Sequence, residues 1–404
     1  MGVGYSDLSN SYRAGVQAAK ESIKTEINNS IDIAIIFISG RHNSEAVLRG
    51  IRSILGRNTR LTGGSTSGII TNEKLGYEDF YVGILTLDTR DYSCKAFLQN
   101  NISLAPEVSG IEIVNQINAL GCKAQNLLIF YDSVKLTANE GGPALNMATP
   151  ILNGIRKKIP KEYPFAGIGV IGDALFSTPA NVWLDEEIKR DAAIILSFTG
   201  NIQLHTTILH GTKPASDYHT VTKVDGPELK EIDGIPAITF LENYFGQSST
   251  LKPEHYPLFL TLGVNRGKRF DLFKEENYAS RLCLSINKKN NSIIMFEPDL
   301  IVGDKIQIMI REFDTTYIKN GIENIFNKTE GKKPIFAIYL DCIGRSKTFS
   351  GLEFEEAAEV QKQVANRVPM LGVYSGVEVA QVGGQLQALD WTGVFCLFTE
   401  KVQK

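Results

Sequence analysis

The order helix, strand, helix, strand, strand occurs three times along this chain, and nothing else in the sequence restricts its fold as much. In the first stretch Val16, Ala19, Ile23 and Ile27 recur at steps of three and four, which puts them on one helical face. Residues 33–38 form an unbroken apolar run of strand length, and Ser44 is placed to cap a second helix carrying Val47, Ile51 and Ile54. A Gly-rich strand edge at 61–68 and a strand at 81–87 complete the unit. In the second stretch Ile113, Ile117 and Leu120 make a helix face that stops at Gly121. A strand at 127–131 ends in Asp132, Ile151, Ile155 and Ile159 mark a helix, and strands follow at 165–172 and 193–197. In the third, Asp314 caps a helix with Ile318, Ile322 and Ile325, and a strand at 335–340 ends in Asp341. Phe354, Ala357, Gln361, Val364 and Val368 trace the next helix, before strands at 371–374 and 394–398.

Each such unit buries a sheet face under its helices. The expected class is therefore α/β with mixed α+β sheets: repeated α-β-α-β-β units, packed sheets and outer helices. A chain of 404 residues exceeds what one core usually holds, so two domains are expected. The segment 211–236, rich in Pro, Gly, Asp and Lys, puts the boundary around 201–213 and gives domains at 1–205 and 206–404. The first holds two units. The second holds the third unit, preceded by a divergent one that starts with a helix at 237–245 and continues with strands at 256–264, 281–287 and 292–297, the last two joined by a turn at 288–291.

Composition removes several classes of function. The net charge of -3 offers no bulk positive field for nucleic acid or anionic lipid. The cysteines, Cys94, Cys122, Cys283, Cys342 and Cys396, are odd in number and contain no CxxC pair, which argues against a disulfide scaffold or structural zinc. Residues 1–10 lack the basic and apolar regions of a signal peptide, and no apolar run approaches a bilayer span. The expected compartment is the cytoplasm.

Three motifs are candidates for chemistry. Residues 63–68, Gly-Gly-Ser-Thr-Ser-Gly, are neither a Walker A loop nor a nucleophile elbow. Gly64, Ser65 and Thr66 suit a pocket wall, or a tight strand end; small residues recurring at 167–169 and 371–372 favour packing. Asp341, Cys342 and Arg345 cluster at a strand's carboxyl end, where α/β ligand sites usually lie. They read as a ligand anchor with a reactive thiol, or as a buried cysteine beside a structural ion pair. Tyr374 and Glu378 follow the long helix, and an Arg and a Glu facing one cavity would hold the two charges of an amino acid. Of the histidines, His42, His205, His210, His219 and His255, none lies in the Cys342 unit, and His205 and His210 are spaced to face opposite ways on a strand.

Residues 64–68, together with the runs 211–214, 221–226 and 231–237 and the elements Cys342-Ile343-Gly344-Arg345 and 372–378, resemble the FIST family over nearly the whole chain. The family's usual Gly-Glu pair is Val377-Glu378 here, and its usual Asn-Thr is Asp390-Trp391-Thr392. The resemblance implies an intracellular sensory module for small ligands, amino acids among those proposed, often joined to kinases, chemoreceptors or cyclic-dinucleotide enzymes, with haem bound by some members. The resulting expectation is a cytoplasmic small-ligand sensor for an amino acid or similar small anion or zwitterion. Its pocket would draw on Gly64, Ser65, Thr66, Asp341, Cys342, Arg345, Tyr374 and Glu378, with Arg345 as anion anchor and Cys342 as a small wall residue. Output would pass through a separate partner such as a histidine kinase or chemoreceptor, with no nucleic acid or membrane involved. The alternatives are a haem-binding nitric oxide or redox sensor with a His axial ligand, and an enzyme using Cys342.

Overall fold

The computed structural model describes residues 1–404 apart from 24–30, 120, 122–125, 136–143, 247–249, 258 and 402–404, so Ile27, Leu120 and Cys122 lie outside the described residues. The first unit runs β1 (Gly2–Ser6), α1 (Ser11–Ser22), β2 (Ile33–Ser39), α2 (Ser44–Leu55), β3 (Arg60–Thr66), a hairpin of β4 (Gly68–Thr71) and β5 (Leu75–Tyr77), and β6 (Val82–Leu87). The second runs β7 (Tyr92–Asn100), α3 (Pro106–Ala119), β8 (Asn126–Asp132), the short pair β9 (Val134–Lys135) and β10 (Ala144–Leu145), α4 (Ala148–Arg156), β11 (Phe165–Val170), a hairpin of β12 (Val182–Leu184) and β13 (Glu187–Lys189), and β14 (Ala192–Gly200).

The third unit opens with β15 (Gln203–Leu209) and is then interrupted. The insertion holds β16 (Thr212–Pro214), β17 (His219–Asp225), β18 (Glu228–Ile232), β19 (Ile235–Pro236), α5 (Ala237–Phe245), β20 (Thr261–Asn265), β21 (Tyr278–Asn287), β22 (Ser292–Met295) and β23 (Lys305–Arg311). The unit resumes with α6 (Thr316–Lys328), β24 (Pro334–Cys342), α7 (Lys347–Ser350), α8 (Glu356–Val364), β25 (Met370–Ser375), a hairpin of β26 (Val377–Val382) and β27 (Gln385–Leu389), and β28 (Gly393–Thr399).

Each unit builds a six-stranded mixed sheet with the same plan. The orders are β1-β6-β2-β3-β12-β13, β7-β14-β8-β11-β26-β27 and β15-β28-β24-β25-β4-β5. The strand pairs β2/β3, β8/β11 and β24/β25 are parallel, and each first strand is antiparallel to the unit's last. The hairpins are exchanged in a ring. The first unit's hairpin completes the third sheet, the second unit's completes the first, and the third unit's completes the second.

The central strands are apolar throughout because both their faces are covered. Along β2, Ala34, Ile36 and Ile38 pack under Ala14, Ala18, Val47 and Ile51 of α1 and α2, while Ile33, Ile35 and Phe37 point into the shared interior. Along β8, Leu127, Ile129 and Tyr131 face α3 and α4, and Leu128 and Phe130 face the interior.

Several expectations are corrected. The units carry an additional leading strand (β1, β7, β15) and an exchanged hairpin, so the helix-strand order alone was incomplete. The cap of α2 is Asn43, whose side chain accepts from Ala46 N at 2.8 Å, one residue before Ser44. Thr315 rather than Asp314 occupies the N-cap of α6, although Asp314 Oδ1 does accept from Thr316 N at 2.8 Å. The inserted stretch is an eight-stranded sheet whose described ladders are all antiparallel, so it lacks the parallel pair of a divergent fourth unit. Its helix at 237–245 and its turn at 288–291 lie where the sequence places them.

Candidate functional site at the carboxyl ends of the parallel pairs

Parallel strands end together, and backbone leaving them is where α/β folds place ligands. Here the ends of β8, β11, β24 and β25 are brought side by side, because the exchanged β26 lies along β11 directly after β25 ends. Ser133, Val377 and Gly376 leave these ends and line a narrow cleft whose other walls include Phe176, Phe296 and Glu297. The cleft is closed, with no room for a water molecule, and Gly169 and Gly376 let its surroundings pack this closely. A Cβ on Gly169 would sit 2.9 Å from Tyr131 Oη, and one on Gly376 would sit 2.8 Å from Ile171 Cγ2 and 3.3 Å from Ser133 Oγ.

Glu297 comes from the inserted sheet and caps α4, accepting from Ala148 N at 2.9 Å and Thr149 N at 2.8 Å. Tyr131 Oη and Asp390 Oδ1, which feel its charge, and Trp391 Nε1, beside Phe296, are buried and find no partner among the described residues. Trp391 packs with Cys342, Leu282 and Phe296 in one apolar cluster. Burial pushes the carboxyls of Glu297 and Glu378 above their ordinary range, and pushes Asp390 up to about 7 against the pull of Arg281. Arg281 is itself engaged by Asp299 through Nε at 2.6 Å.

The expected site residues are all buried and fall into linked groups. Asp341 Oδ1 accepts from Arg345 Nε at 2.7 Å. Arg345 also donates to the His210 carbonyl at 2.9 Å and to Tyr317 Oη at 2.8 Å, and lies 3.4 Å from Glu356. Its guanidinium is thus committed to protein partners. Tyr374 donates to Glu355 Oε1 at 2.8 Å and meets Tyr77 edge-on at 5.2 Å. Glu378 accepts from Ser375 Oγ at 2.9 Å and Thr392 N at 3.2 Å. Ser375 Oγ lies 3.0 Å from the Asp341 carbonyl, so the ends of β24, β25 and β26 are bonded together.

Gly64, Ser65 and Thr66 serve as joints between sheets. A Cβ on Gly64 would lie 2.7 Å from Val170 Cγ1, and the neighbouring Gly63 has φ +141° with no room for a side chain against the Ile36 carbonyl. Ser65 exchanges bonds with the Asn181 backbone at 2.8 and 2.9 Å, and Thr66 Oγ1 donates to the Tyr374 carbonyl at 2.7 Å. None of these three lines the cleft. Cys342 is 8% exposed, and burial first, then Glu378, hold its thiol far above its ordinary value. The thiol is protonated at neutral pH, which suits a wall residue better than a nucleophile.

His210 has no ring nitrogen left for a haem iron. Both ring nitrogens of His210 are hydrogen-bonded, to Thr392 and to the Tyr278 carbonyl, each at 2.8 Å. His205, His219 and His255 each have a ring nitrogen engaged, by Thr399, Asp233 and Lys252 N. His42 bonds Ser11 and packs edge-on to Phe80 at 5.2 Å, with its Nε2 buried. Among the described residues no group of His, Cys, Asp and Glu is disposed to hold a metal ion. No described helix is long and apolar enough to cross a membrane.

Glu297, Tyr131, Thr149 and Arg281 were not visible as site residues. Glu297 ends an apolar run that reads only as a strand, and its partners are 148 and 149 positions away. The Asp390-Trp391-Thr392 departure was the one local signal.

Asp390 gives a pH test. Its carboxyl is raised from an unfolded value near 3.8 to about 7, so the folded state binds the proton more tightly. That stabilisation is complete below the unfolded value and disappears as pH rises through 7. Asp390→Asn should therefore flatten part of the fall in stability between about pH 4 and pH 7, measured by urea unfolding at each pH. An unchanged pH slope would show that Asp390 ionises normally.

Residues 32–235 match the FIST N domain and residues 237–381 match the FIST C domain. No curated protein matches the chain. Among solved structures, cyanuric acid hydrolase from A. caulinodans is 8% identical, with 99% of each chain covered and a TM-score of 0.37. PurLQS from Thermotoga maritima is 8% identical, with 99% of this chain and 72% of that chain covered and a TM-score of 0.22. Neither score is high enough to carry weight for fold or function.

Proposed function

The chain belongs to the FIST family, whose domains are small-ligand sensory domains of signalling proteins, and from that premise we propose that it senses a small amine-bearing ligand at the cleft beside Glu297. One observation carries the choice of place. Tyr131 Oη and Asp390 Oδ1, both close enough to feel the Glu297 charge, and Trp391 Nε1, packed beside Phe296 of the same wall, are buried without partners among the described residues. A buried polar group left unpaired costs about 1–3 kcal/mol, and a ligand that supplies the missing donors and acceptors recovers it.

Carboxylates predominate there. Glu297, Glu378 and Asp390 act on one another there, while of the neighbouring guanidiniums Arg281 is engaged by Asp299 and Arg311, 4.7 Å over the Trp391 ring, is engaged by Glu356. This supports an ammonium group held near Asp390, and the Trp391 N–H and the Tyr131 hydroxyl are suited to a carboxylate or carbonyl. An amino acid or similar zwitterion has that pattern. In this reading Arg345 is a structural ion partner and Cys342 a wall.

The cleft is shut in this structure, without room for a water molecule, and Phe176 forms one wall, so binding requires it to open. Phe176 has φ 56° in a loop pinned by Asp173, which accepts from Leu175 N, Ser177 N and Thr178 N. Ligand entry displaces that loop. Because Asn181 at its end is bonded to Ser65, the displacement reaches the first sheet. A separate output protein in the cytoplasm, such as a histidine kinase or chemoreceptor, would read the change. The proposed division, 1–205 and 206–404, falls within β15 (Gln203–Leu209), the leading strand of the third unit.

The test is calorimetry with L-amino acids, the matching amines and the matching carboxylic acids. Amine-bearing compounds should bind, and Asp390→Asn should weaken them about tenfold or more, as loss of a charged hydrogen bond does. Gly376→Val should fill the cleft and abolish binding. Affinity unchanged in Gly376→Val, or no binding by any class, would sink the proposal.

A further inference from the structure

A second cleft, of about 260 Å³, opens on the far side of α4, between the helix's carboxyl end and the β26–β27 hairpin. Arg156 and Lys161 reach it, and Ile159, Phe165 and Leu386 supply an apolar floor beside Gln385. Its charge is what sets it apart.

The arginines that are not exposed almost all touch a carboxylate. Arg52 meets Glu186 at 3.0 Å, Arg266 meets Asp304 at 3.0 Å, and Arg345 meets Asp341 at 2.7 Å. Arg281 is paired with Asp299, and Arg311 with Glu356. Arg156 has no carboxylate within ion-pair distance among the described residues. Its neutral partners are Asn153 Oδ1, at 2.7 Å, and the Leu386 carbonyl, and its Nε has none. Asp299, the acid that acts most on it, is already held by Arg281, and Glu297 is turned to the other end of α4. A partly desolvated guanidinium needs an anion, and no carboxylate of the described residues supplies one within ion-pair distance.

We propose that this cleft is a binding site for a small carboxylate with a compact apolar body, its carboxylate on Arg156 and Lys161 and its body on Phe165, Ile159 and Leu386. The planar guanidinium fork suits a carboxylate held through two oxygens. The apolar floor excludes simple inorganic anions as the preferred ligand, since they gain nothing from it. The site is independent of the cleft beside Glu297: the two lie at opposite ends of α4 and favour opposite charges.

Benzoate is the probe, with benzylamine and benzamide as controls of equal size, and acetate as the control lacking the apolar body. Chemical-shift titration of the full chain should show saturable binding of benzoate, at least tenfold weaker binding of acetate, and none of benzylamine or benzamide. Arg156→Ala should weaken benzoate at least tenfold. Because Arg156 also ties α4 to the hairpin, Gln385→Glu is the second variant. It sets a carboxylate beside Arg156 without removing any of its bonds, and should abolish benzoate binding in a protein that is at least as heat-stable as wild type. Equal binding of benzylamine and benzoate, or benzoate affinity unchanged in Gln385→Glu, overturns the assignment.

Discussion

Arg345→Ala should destabilise the protein by about 3–5 kcal/mol in urea unfolding, the loss usual when one member of a buried ion pair is removed. Arg345 is fully buried and links four elements. Its Nε holds Asp341 at the end of β24, and one terminal nitrogen holds the His210 carbonyl just beyond β15. The other reaches Tyr317 on α6 and Glu356 on α8. Without it Asp341 is left with no ion partner, and Glu356 keeps only Arg311 and Tyr317. Burial already raises the carboxyl of Asp341, so the orphaned acid takes up a proton and the damage is greatest above neutral pH. Arg345→Lys should recover only part of the loss, because one ammonium cannot span partners set around a planar fork. A small loss of stability, together with a large loss of affinity for an anionic ligand, would instead make Arg345 the anion anchor that its place in the sequence suggests.

The sequence left Arg345 between those two roles for a physical reason. Residues 341–345 announce that a carboxylate, a thiol and a guanidinium share one strand end. They do not say whether the guanidinium has other partners, and those partners, Tyr317, Glu356 and His210, come from elements far off in the chain. The same limit runs through the fold. Apolar periodicity marks β2, β8 and β24 because a strand covered on both faces must be apolar throughout, and that requirement is local. The exchange of hairpins between sheets leaves no such trace, because β4 and β26 read as strands whichever sheet they join. The site beside Glu297 is assembled by the exchange and by the inserted sheet, so its residues were the hardest to read. Gly64, Ser65 and Thr66 read as pocket residues or as a tight strand end, and the recurrence of small residues at 167–169 and 371–372 favours packing. In the structure they sit where sheets join.

The helix pairs give the second large effect, and its sign runs against propensity. Replacing a helical glycine by alanine ordinarily stabilises by up to about 1 kcal/mol. Gly50→Ala and Gly154→Ala should each destabilise by about 1–3 kcal/mol, as overpacking does. A Cβ on Gly50 would lie 2.2 Å from the Tyr12 carbonyl oxygen, and one on Gly15 would lie 2.2 Å from that of Val47. In the second unit a Cβ on Gly154 would lie 1.9 Å from the Glu107 oxygen, and one on Gly110 would lie 2.1 Å from that of Ile151. In both units each glycine faces the carbonyl three residues before its partner glycine, so α1 crosses α2, and α3 crosses α4, backbone against backbone. A backbone carbonyl cannot turn aside as a side chain can, and the helices must separate. The third unit supplies the control. A Cβ on Gly321 of α6 would meet side chains and no backbone, Leu209 Cδ2 at 2.5 Å and Thr207 Oγ1 at 3.6 Å, so Gly321→Ala should stay within about 1 kcal/mol of wild type. Since the first two crossings are separate, the double variant Gly50→Ala with Gly154→Ala should lose the sum of the single losses. Stabilisation by either single change would mean that the helices are free to shift apart, and that the twin crossings do not hold the units in shape.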